Sequence, residues 1–329
     1  MTVEEQDDGL ATMELRFSNI VSDDQGDADF AFEDEELLAL GSRVRVKCGD
    51  EQDPTEVFYG VVTGLEARFP QHDPPELVVF AEDVLQKARM RRRTKTYEEG
   101  SLQELVDAVL EGSGVTTSLA GLSATVGVQV QRNESDLAFL RRVLDRHDVA
   151  MWVQGDTLHA APRDQDAPTP VEVHLHSQLR EARVFADLAH QVTQITLTGW
   201  DAAEGQRVGA RAGGSAAPGP GAGRIGAELL PQELRPRSEH LGHLAVEDSA
   251  EADALVEAAW RQRARRFVVL EGTCAGNPAL RVGAHVAARG LGPRFSNTYL
   301  ITRACHRFDL ERGYETDIEA ACAYLGDAG

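Results

Sequence analysis

The sequence predicts a β-rich α+β fold in which two antiparallel β domains flank an insert of helices and a hairpin. Segments near both ends alternate apolar and polar residues, which is the period of strands with one buried face. The centre of the chain carries apolar residues at helical spacing, followed by two short strands. We therefore predict three domains, over residues 1–95, 96–165 and 166–329.

The first domain opens with a strand over residues 13–17, where Met, Leu and Phe alternate with polar residues. Similar patterns predict further strands over 44–48, 58–66 and 77–81. Polar, proline-bearing turns separate them. Antiparallel strands at this density favour a small barrel or sandwich, because such folds leave few strand edges exposed.

The middle domain is predicted to contain two helices, over 101–112 and 133–147, and a hairpin over 149–161. Ser101 and Glu104 match a capping box at the start of the first helix. Asn133 is placed to cap the second helix, whose apolar residues fall in one arc. A Gly-Asp pair joins the two strands of the hairpin, because glycine accepts the positive φ of a tight primed turn.

The last domain is predicted to be a second β domain with one long helix over 249–266. A stretch over 205–237 begins with a run dominated by Gly, Ala and Pro, which buries too little apolar surface to order itself. We therefore expect a mobile loop there. The predicted strands of this domain cover residues 171–176, 191–200, 268–273, 284–288, 299–308 and 314–321.

Composition excludes several classes of protein. The chain has 54 acidic against 33 basic residues, a net charge of −21, which argues against sequence-specific nucleic-acid binding. Its four cysteines form no C-x-x-C pair, as in a reduced cytoplasmic protein. No signal peptide or membrane-spanning run is present. We expect cytoplasmic synthesis and no membrane partner, so that any place outside the cell must be reached by lysis or by an assembled machine.

A family resemblance rests on several motifs in order. The run NESDLAFLRRVLDRHDVAMWVQGDTLHAAP, residues 133–162, resembles the late control protein D family of phage tail proteins, which includes VgrG-type spikes and the hubs of contractile injection systems. Further matching stretches are Phe-Tyr-Gly at 58–60, Gly-Trp-Asp at 199–201, Gly-Asn-Pro at 276–278 and the run over 299–316. Together they cover most of the chain, from about Leu40 to Gly326.

The resemblance implies that both β domains are tail-tube-like antiparallel barrels. In this family three chains form a ring of six barrels, which adapts a sixfold inner tube to a threefold spike. The implied partners are two further copies of the chain, the inner tube protein, the spike, other baseplate proteins and cargo in the lumen. VgrG-type spikes continue into further domains, whereas this sequence ends at Gly329, so we expect the spike to be a separate polypeptide. The resemblance does not decide between a phage tail and an extracellular or cytoplasmic injection particle.

The sequence indicates no catalytic, metal or cofactor site. His174 and His176 share a face of a predicted strand, but no Cys or carboxylate stands at matching spacing, so surface histidines are favoured over metal ligands. Cys305 and His306 are neighbours in a predicted strand and point to opposite faces, which prevents them from sharing a proton. We therefore interpret Cys305 as a cysteine of the core and not as a nucleophile.

Two clusters concentrate the positive charge of this acidic chain. The favoured interpretation is a solvated face or pairing with carboxylates of the same chain. Alternatively the clusters dock a partner's acidic surface, because the planar guanidinium group suits carboxylates. The candidate docking residues are Arg89, Arg91, Arg92, Arg93, Lys95, Arg261, Arg263, Arg265 and Arg266.

We favour a structural baseplate hub over two other functions. The first alternative is an enzyme, such as a cell-wall hydrolase carried on the same β scaffold. It needs a cleft with converging ionisable groups, which the sequence does not display. The second is a monomeric β module that binds carbohydrate or protein.

Overall fold

A computed structural model describes residues 1–22, 25, 28–32, 37–163, 169–201, 204–214, 219–242, 244, 246 and 248–327 of the chain. The predicted fold class is confirmed: the protein is β-rich, with a large antiparallel sheet and a small helical insert.

The N-terminal region consists of strands and one short helix. Alternation places Val3, Met13 and Val79 in its buried core, as the strand period requires. Its elements are β1 (Thr2–Gln6), β2 (Thr12–Ser18), β3 (Val21–Ser22), β4 (Ala28–Asp29), β5 (Arg43–Gly49), β6 (Pro54–Arg68), β7 (Glu76–Glu82) and α1 (Gln86–Met90).

The middle region combines two helices with short strands. Ser101 and Glu104 form the predicted capping box, and Gly155 takes a φ of 62° in the hairpin turn. The elements are β8 (Arg92–Tyr97), β9 (Gly100–Ser101), α2 (Leu102–Leu110), β10 (Thr116–Leu119), β11 (Thr125–Val126), β12 (Gln129–Ser135), α3 (Asp136–Arg146), β13 (Val149–Gln154) and β14 (Thr157–Pro162).

The C-terminal region is the longest. Its helix α5 is capped by Asp248, whose carboxylate accepts a hydrogen bond from the Glu251 amide. The elements are β15 (Val171–His174), β16 (Leu179–Ala186), β17 (Gln194–Asp201), β18 (Gln206–Ala212), β19 (Arg224–Ile225), α4 (Gly226–Glu233), β20 (Ser238–His240), α5 (Ser249–Arg265), β21 (Val268–Ala275), β22 (His285–Arg289), α6 (Gly292–Phe295), β23 (Asn297–Asp309), β24 (Gly313–Cys322) and β25 (Tyr324–Leu325).

Strands from both ends of the chain join in one sheet of 11 strands. Its main path runs in the order β16, β21, β24, β23, β1, β2, β7, β6 and β5, while β22 pairs with β23 and carries β15. Strand β1 is the seam, since it pairs with β2 on one side and with β23 on the other. Strands β5 and β16 therefore lie at opposite ends of this path.

Apolar residues form four separate cores. One lies among strands β1 to β7 and another inside the middle region, where the rings of Tyr97 and Phe139 stack at 5.2 Å. A third is enclosed by the C-terminal strands. The fourth lies where α5 covers one face of a small sheet with strand order β18, β17, β20.

The predicted start of the second middle helix was wrong. Asn133 does not cap it but lies in β12 with a φ of 49°, and the helix begins at Asp136. Ser135 is the cap, since its hydroxyl accepts a hydrogen bond from the Ala138 amide. The Asp136 carboxylate is buried instead of turning back to the cap.

The stretch predicted as a loop over 205–237 contains regular structure. Strand β18 places Val208 and Ala212 in the core under α5, and α4 buries Leu229 and Leu230. Small side chains were sufficient in β18 because β17 and α5 supply larger apolar residues to the same core. Residues 215–218, in the same stretch, lie outside the described residues. Strand β16, which the sequence analysis did not predict, pairs along β21.

None of the helices in the described ranges is long and apolar enough to span a bilayer.

Candidate functional site

The first predicted arginine cluster, residues 89–95, runs from the end of α1 into β8. Two of its side chains reach one buried carboxylate, Asp136 at the start of α3. Arg93 Nε lies 2.8 Å from Asp136 Oδ1, and Arg91 Nε lies 3.6 Å from Oδ2. Because Asp136 is fully buried, these arginines neutralise a charge inside the domain.

The other members of this cluster contact groups nearer the surface. They reach a carboxylate, a carbonyl and a ring: Arg89 lies 2.5 Å from Glu82, Arg92 lies 2.6 Å from the carbonyl oxygen of Asn133, and Lys95 lies 4.8 Å from the ring centre of Tyr97. Arg92 and Lys95 are exposed. They form no ion pair with a residue that the structure describes.

The second cluster lies on the last turns of α5. Arg265 makes two hydrogen bonds to the Asp148 carboxylate, at 2.8 and 2.6 Å, and both side chains are buried. Arg263 forms a similar fork with Glu239, at 3.0 and 2.8 Å, nearer the surface. Arg261 is partly buried, whereas Arg266 is exposed and forms no ion pair within the described ranges.

A cleft of about 840 Å³ lies between the end of β1, helix α3 and the C-terminal turn of α5. Charges of both signs line it in nearly equal number. The cations are Arg141, Arg142, Arg163, Arg265, Arg266 and Arg303, and the anions are Asp7, Asp8, Asp145, Asp148 and Glu319. Such a balanced lining neutralises itself and holds the surrounding elements together.

Arg163 is the centre of this cleft, and the sequence analysis missed it. Its Nε lies 2.8 Å from Asp7, after β1, and its Nη1 lies 3.5 Å from Asp148 and 3.7 Å from Asp145. Asp148 follows α3 with a φ of 56°, a conformation that is uncommon outside glycine. A polar residue directly after a predicted helix was the available signal, but its arginine partners lie far away in sequence.

The histidine pair does not share a strand face. Strand β15 ends at His174, and His176 follows it with a φ of 66°. Both side chains are exposed, and His174 Nε2 lies 3.1 Å from Glu172. Among the described residues, no three His, Cys, Asp or Glu side chains are grouped so that they could hold a metal ion.

Cys305 and His306 point to opposite faces of β23, as the strand period predicts. His306 is fully buried, and its Nδ1 lies 2.8 Å from the Tyr314 hydroxyl. Burial lowers the pKa of His306 to about 4, so the imidazole is neutral near pH 7. Burial and then the nearby Asp317 raise the pKa of the Cys305 thiol. Neither group is activated for nucleophilic catalysis.

Asp83 is a buried carboxylate that forms no ion pair with an arginine of the described residues. Its oxygens accept hydrogen bonds from the amides of Ala11, at 2.6 Å, and Leu85, at 2.8 Å. Burial raises the pKa of Asp83 to about 7, although these two bonds act in the opposite direction. The bonds fix the chain between β7 and α1 against the start of β2.

The family model described as the Alg8 N-terminal domain matches residues 10–309, most of the chain. No curated protein matches the sequence.

Solved structures of tail proteins share the fold. A 43 kDa tail protein of prophage MuSo2 from Shewanella oneidensis aligns with a TM-score of 0.66 and 12% identity over 98% of this chain and 93% of its own. A tail protein from Neisseria meningitidis aligns with a TM-score of 0.66 and 11% identity, over 97% and 90% of the two chains. An E. coli component of the type VI secretion system aligns with a TM-score of 0.56 and 16% identity, over 100% and 74%.

Proposed function

The chain belongs to the Alg8 N-terminal domain family, and on the basis of its tail-protein fold we propose that it is a structural baseplate hub of a contractile injection system or phage tail. It acts as a trimer that joins a sixfold inner tube to a threefold spike. The observation that carries the proposal is the single sheet built from two groups of strands, one from each end of the chain. Three such chains supply six groups.

The two ends of the sheet support ring formation. Within the described ranges, β5 pairs only with β6, and β16 pairs only with β21 apart from one bridge between Leu175 and Leu179 at its start. An unpaired strand edge invites pairing with another chain, and a closed ring of heterologous contacts removes such edges. Contact between β5 of one copy and β16 of the next would close a threefold ring.

Phe185 is an exposed aromatic residue on the end strand β16, and 54% of its surface is accessible. An exposed apolar side chain on an unpaired edge fits a contact that is buried in the assembly. The ring contact that we propose covers this side chain.

The four apolar cores of the described residues support three domains, but they favour a first boundary nearer to residue 84 than the one proposed after residue 95, and the second stays between residues 165 and 166. The core of the middle region draws on residues from Leu85 to Ala160, and the first core ends at Ala81. The two remaining cores lie beyond residue 170. In the assembly, the middle domain and the end of α5 would lie outside the ring of strands, where exposed Arg92 and Lys95, and Arg266 after α5, can reach carboxylates of the tube, the spike or other baseplate proteins.

The proposal assigns no catalysis to the chain. The balanced ion pairs of the cleft and the neutral, buried His306 support a structural role. The lumen of the ring would carry cargo. The protein would act as a component of the assembled injection particle or phage tail.

Mass photometry combined with negative-stain microscopy tests this proposal. We expect particles of three times the 35.8 kDa chain mass with a central hole, either alone or after mixing with tube and spike proteins. The variant Phe185→Lys should lose the trimer but keep its circular dichroism spectrum. Leu310→Lys is the matched control, because Leu310 is 96% exposed in the turn after β23 and lies off the proposed contact.

Two results would reject the hub. One is a strict monomer under all of these conditions, which fits the monomeric binding module. The other is release of fragments from purified peptidoglycan, which fits the cell-wall hydrolase.

A further inference from the structure

The small sheet of strands β18, β17 and β20 has one covered face and one open face. Its covered face carries Ile195, Leu197 and Val208, which pack in a core with α5. The open face carries the alternate residues of the same strands. This unit lies between β16 and β21 in the chain and has its own core, so its open face is separate from the ends of the large sheet.

Cross-strand register arranges the open face in three rows. Each row joins a residue of β17 to its partner on β18, and one row continues to β20. The rows are Trp200 with Arg207, Thr198 with Gly209, and Thr196 with Arg211 and His240. A shallow groove of about 660 Å³ runs over the last two rows and beside Arg207.

Arg207 and Arg211 are exposed, and neither guanidinium group makes an ion pair or hydrogen bond to any residue in the described ranges. Most arginines of this chain are paired with carboxylates, as expected for a protein with a net charge of −21. Two neighbouring guanidinium groups without carboxylates on one strand therefore form a local attraction for anions. They lie four positions apart along the strand, a distance of about 13 Å.

Strand β18 is an edge strand, because within the described residues it pairs only with β17. The backbone groups on its other side can accept a further strand. An added strand would place alternate side chains on the open face, in register with Arg207, Gly209 and Arg211.

Gly209 leaves a gap between the two arginines. A Cβ atom at this position would meet no other atom within 4 Å, so the space above it is open. Its φ lies outside the positive range, so a larger residue fits the same backbone. A bulky side chain from an added strand can therefore lie over Gly209 and contact Thr198.

We propose that β18 binds an extended, acidic segment of a partner protein as an additional strand. The segment carries an acidic residue, a bulky residue and a second acidic residue at alternate positions, so that the carboxylates face Arg207 and Arg211 while the bulky side chain fills the gap at Gly209. This proposal does not depend on the hub assignment. A protein segment fits better than nucleic acid, because a phosphate backbone needs a continuous cationic surface and the chain is strongly acidic.

Calorimetric titration of the full chain with a synthetic peptide tests the proposal. The peptide has two glutamates flanking a phenylalanine at alternate positions, separated by threonines. We expect saturable binding, and hydrogen exchange should show slower exchange of the amides over 206–212. The same peptide with glutamines should bind at least tenfold more weakly, and a peptide with N-methylated backbone amides on its pairing edge should not bind.

Three variants locate the site. The double change Arg207→Glu and Arg211→Glu should weaken binding at least tenfold. The double change Arg132→Glu and Arg312→Glu is the matched control, because both residues are exposed and the change in charge is equal. Gly209→Leu should weaken binding of the phenylalanine peptide, because the leucine side chain fills the gap itself. Binding to this variant should be restored when alanine replaces phenylalanine in the peptide.

Several results would overturn the proposal. These are no binding of the peptide, equal losses from the two double variants, or binding without protection of residues 206–212. Protection of the same amides by a single-stranded DNA oligonucleotide but not by the peptide would assign the face to nucleic acid. A change in the chain's own oligomeric mass in the Arg207 and Arg211 variant would assign it to a second copy.

Discussion

The arginines of residues 89–95 and those of β18 differ in a way that their sequence does not suggest. The first group is dense and lies in an obviously basic run, yet Arg93 and Arg91 form ion pairs with the buried Asp136. The second group is two isolated residues in a stretch of small residues, yet Arg207 and Arg211 have no ionic partner within the described ranges. The basic run therefore contains both neutralised and open cations, whereas both arginines of β18 are open.

The difference follows from which carboxylates the fold buries. Removing a carboxylate from water is costly unless a cation and hydrogen bonds accompany it. Asp136 draws in two guanidinium groups, and Asp148 draws in Arg265 for the same reason. Arg207 and Arg211 lie on the face of β18 opposite its apolar core, and no carboxylate in the described ranges forms an ion pair with them.

The largest expected effect is at the first cluster. Arg93→Met removes the closer cation from Asp136 and leaves a fully buried carboxylate with a more distant partner. We expect a loss of about 4 kcal/mol in the free energy of unfolding, since breaking a buried pair strands its other charge. Urea denaturation measures it. Arg92→Met is the control, because Arg92 is exposed and bonds only a backbone carbonyl, and it should change stability by about 0.5 kcal/mol. Equal losses of unfolding free energy for Arg93→Met and Arg92→Met would show that buried and exposed arginines of the cluster do not differ.

A slightly smaller effect is expected at the second cluster. Arg265→Met breaks the fork to Asp148, but Arg163 remains 3.5 Å from that carboxylate and keeps part of the compensation. We expect a loss of about 3 kcal/mol. The adjacent Arg266→Met should cost less than about 0.5 kcal/mol, because Arg266 is exposed. Chemical denaturation of both variants at neutral pH makes the comparison, and a larger loss for Arg266→Met would contradict it.

Local patterns were sufficient to predict many elements of the fold. The capping box at Ser101 and Glu104, the hairpin after α3 and the alternation along β24 all depend on residues close in sequence. The seam strand β1 was missed, because its acidic residues resemble a solvated tail. Its role depends on pairing with Arg303 to Arg307, at the other end of the chain.

The candidate sites were less predictable for the same reason. A dense basic run is visible in the sequence, but its partner Asp136 lies more than forty positions after Arg93. Arg265 and Asp148 are separated by 117 positions. Only the fold decides which cations are neutralised, so the open arginines of β18 could not be recognised among the small residues around them.

Asp83 sharpens the comparison, because it is a buried carboxylate that forms no ion pair with an arginine of the described residues. Its pKa is raised to about 7 from 3.8, so the folded state binds a proton that the unfolded chain has lost between these pH values. This contribution to stability is complete below pH 3.8 and is lost as pH rises towards 7. The difference in unfolding free energy between the parent and Asp83→Asn should fall by about 1.4 kcal/mol per pH unit across this window.

The difference in unfolding free energy between the parent and Asp83→Asn carries its own control. His306 and His147 have pKa values lowered to about 4 by burial, so they weaken the fold as pH falls from 6.5 and oppose the trend of Asp83. Both histidines are present in the parent and in the variant, and their effects cancel in the difference. A difference that stays constant from pH 4 to pH 7 would show that Asp83 is ionised throughout.

The smallest expected effect is on β18. Arg207→Met and Arg211→Met together should change the free energy of unfolding by less than about 0.5 kcal/mol, because no carboxylate or carbonyl within the described residues is left without a partner. The same change at Arg93 alone removes several times more, although it alters fewer charges. Urea denaturation at low and high salt separates local from long-range effects, since screening removes attraction between exposed charges. A large loss at β18 would mean that these arginines serve the fold, and the open face would then have no charge to offer a partner.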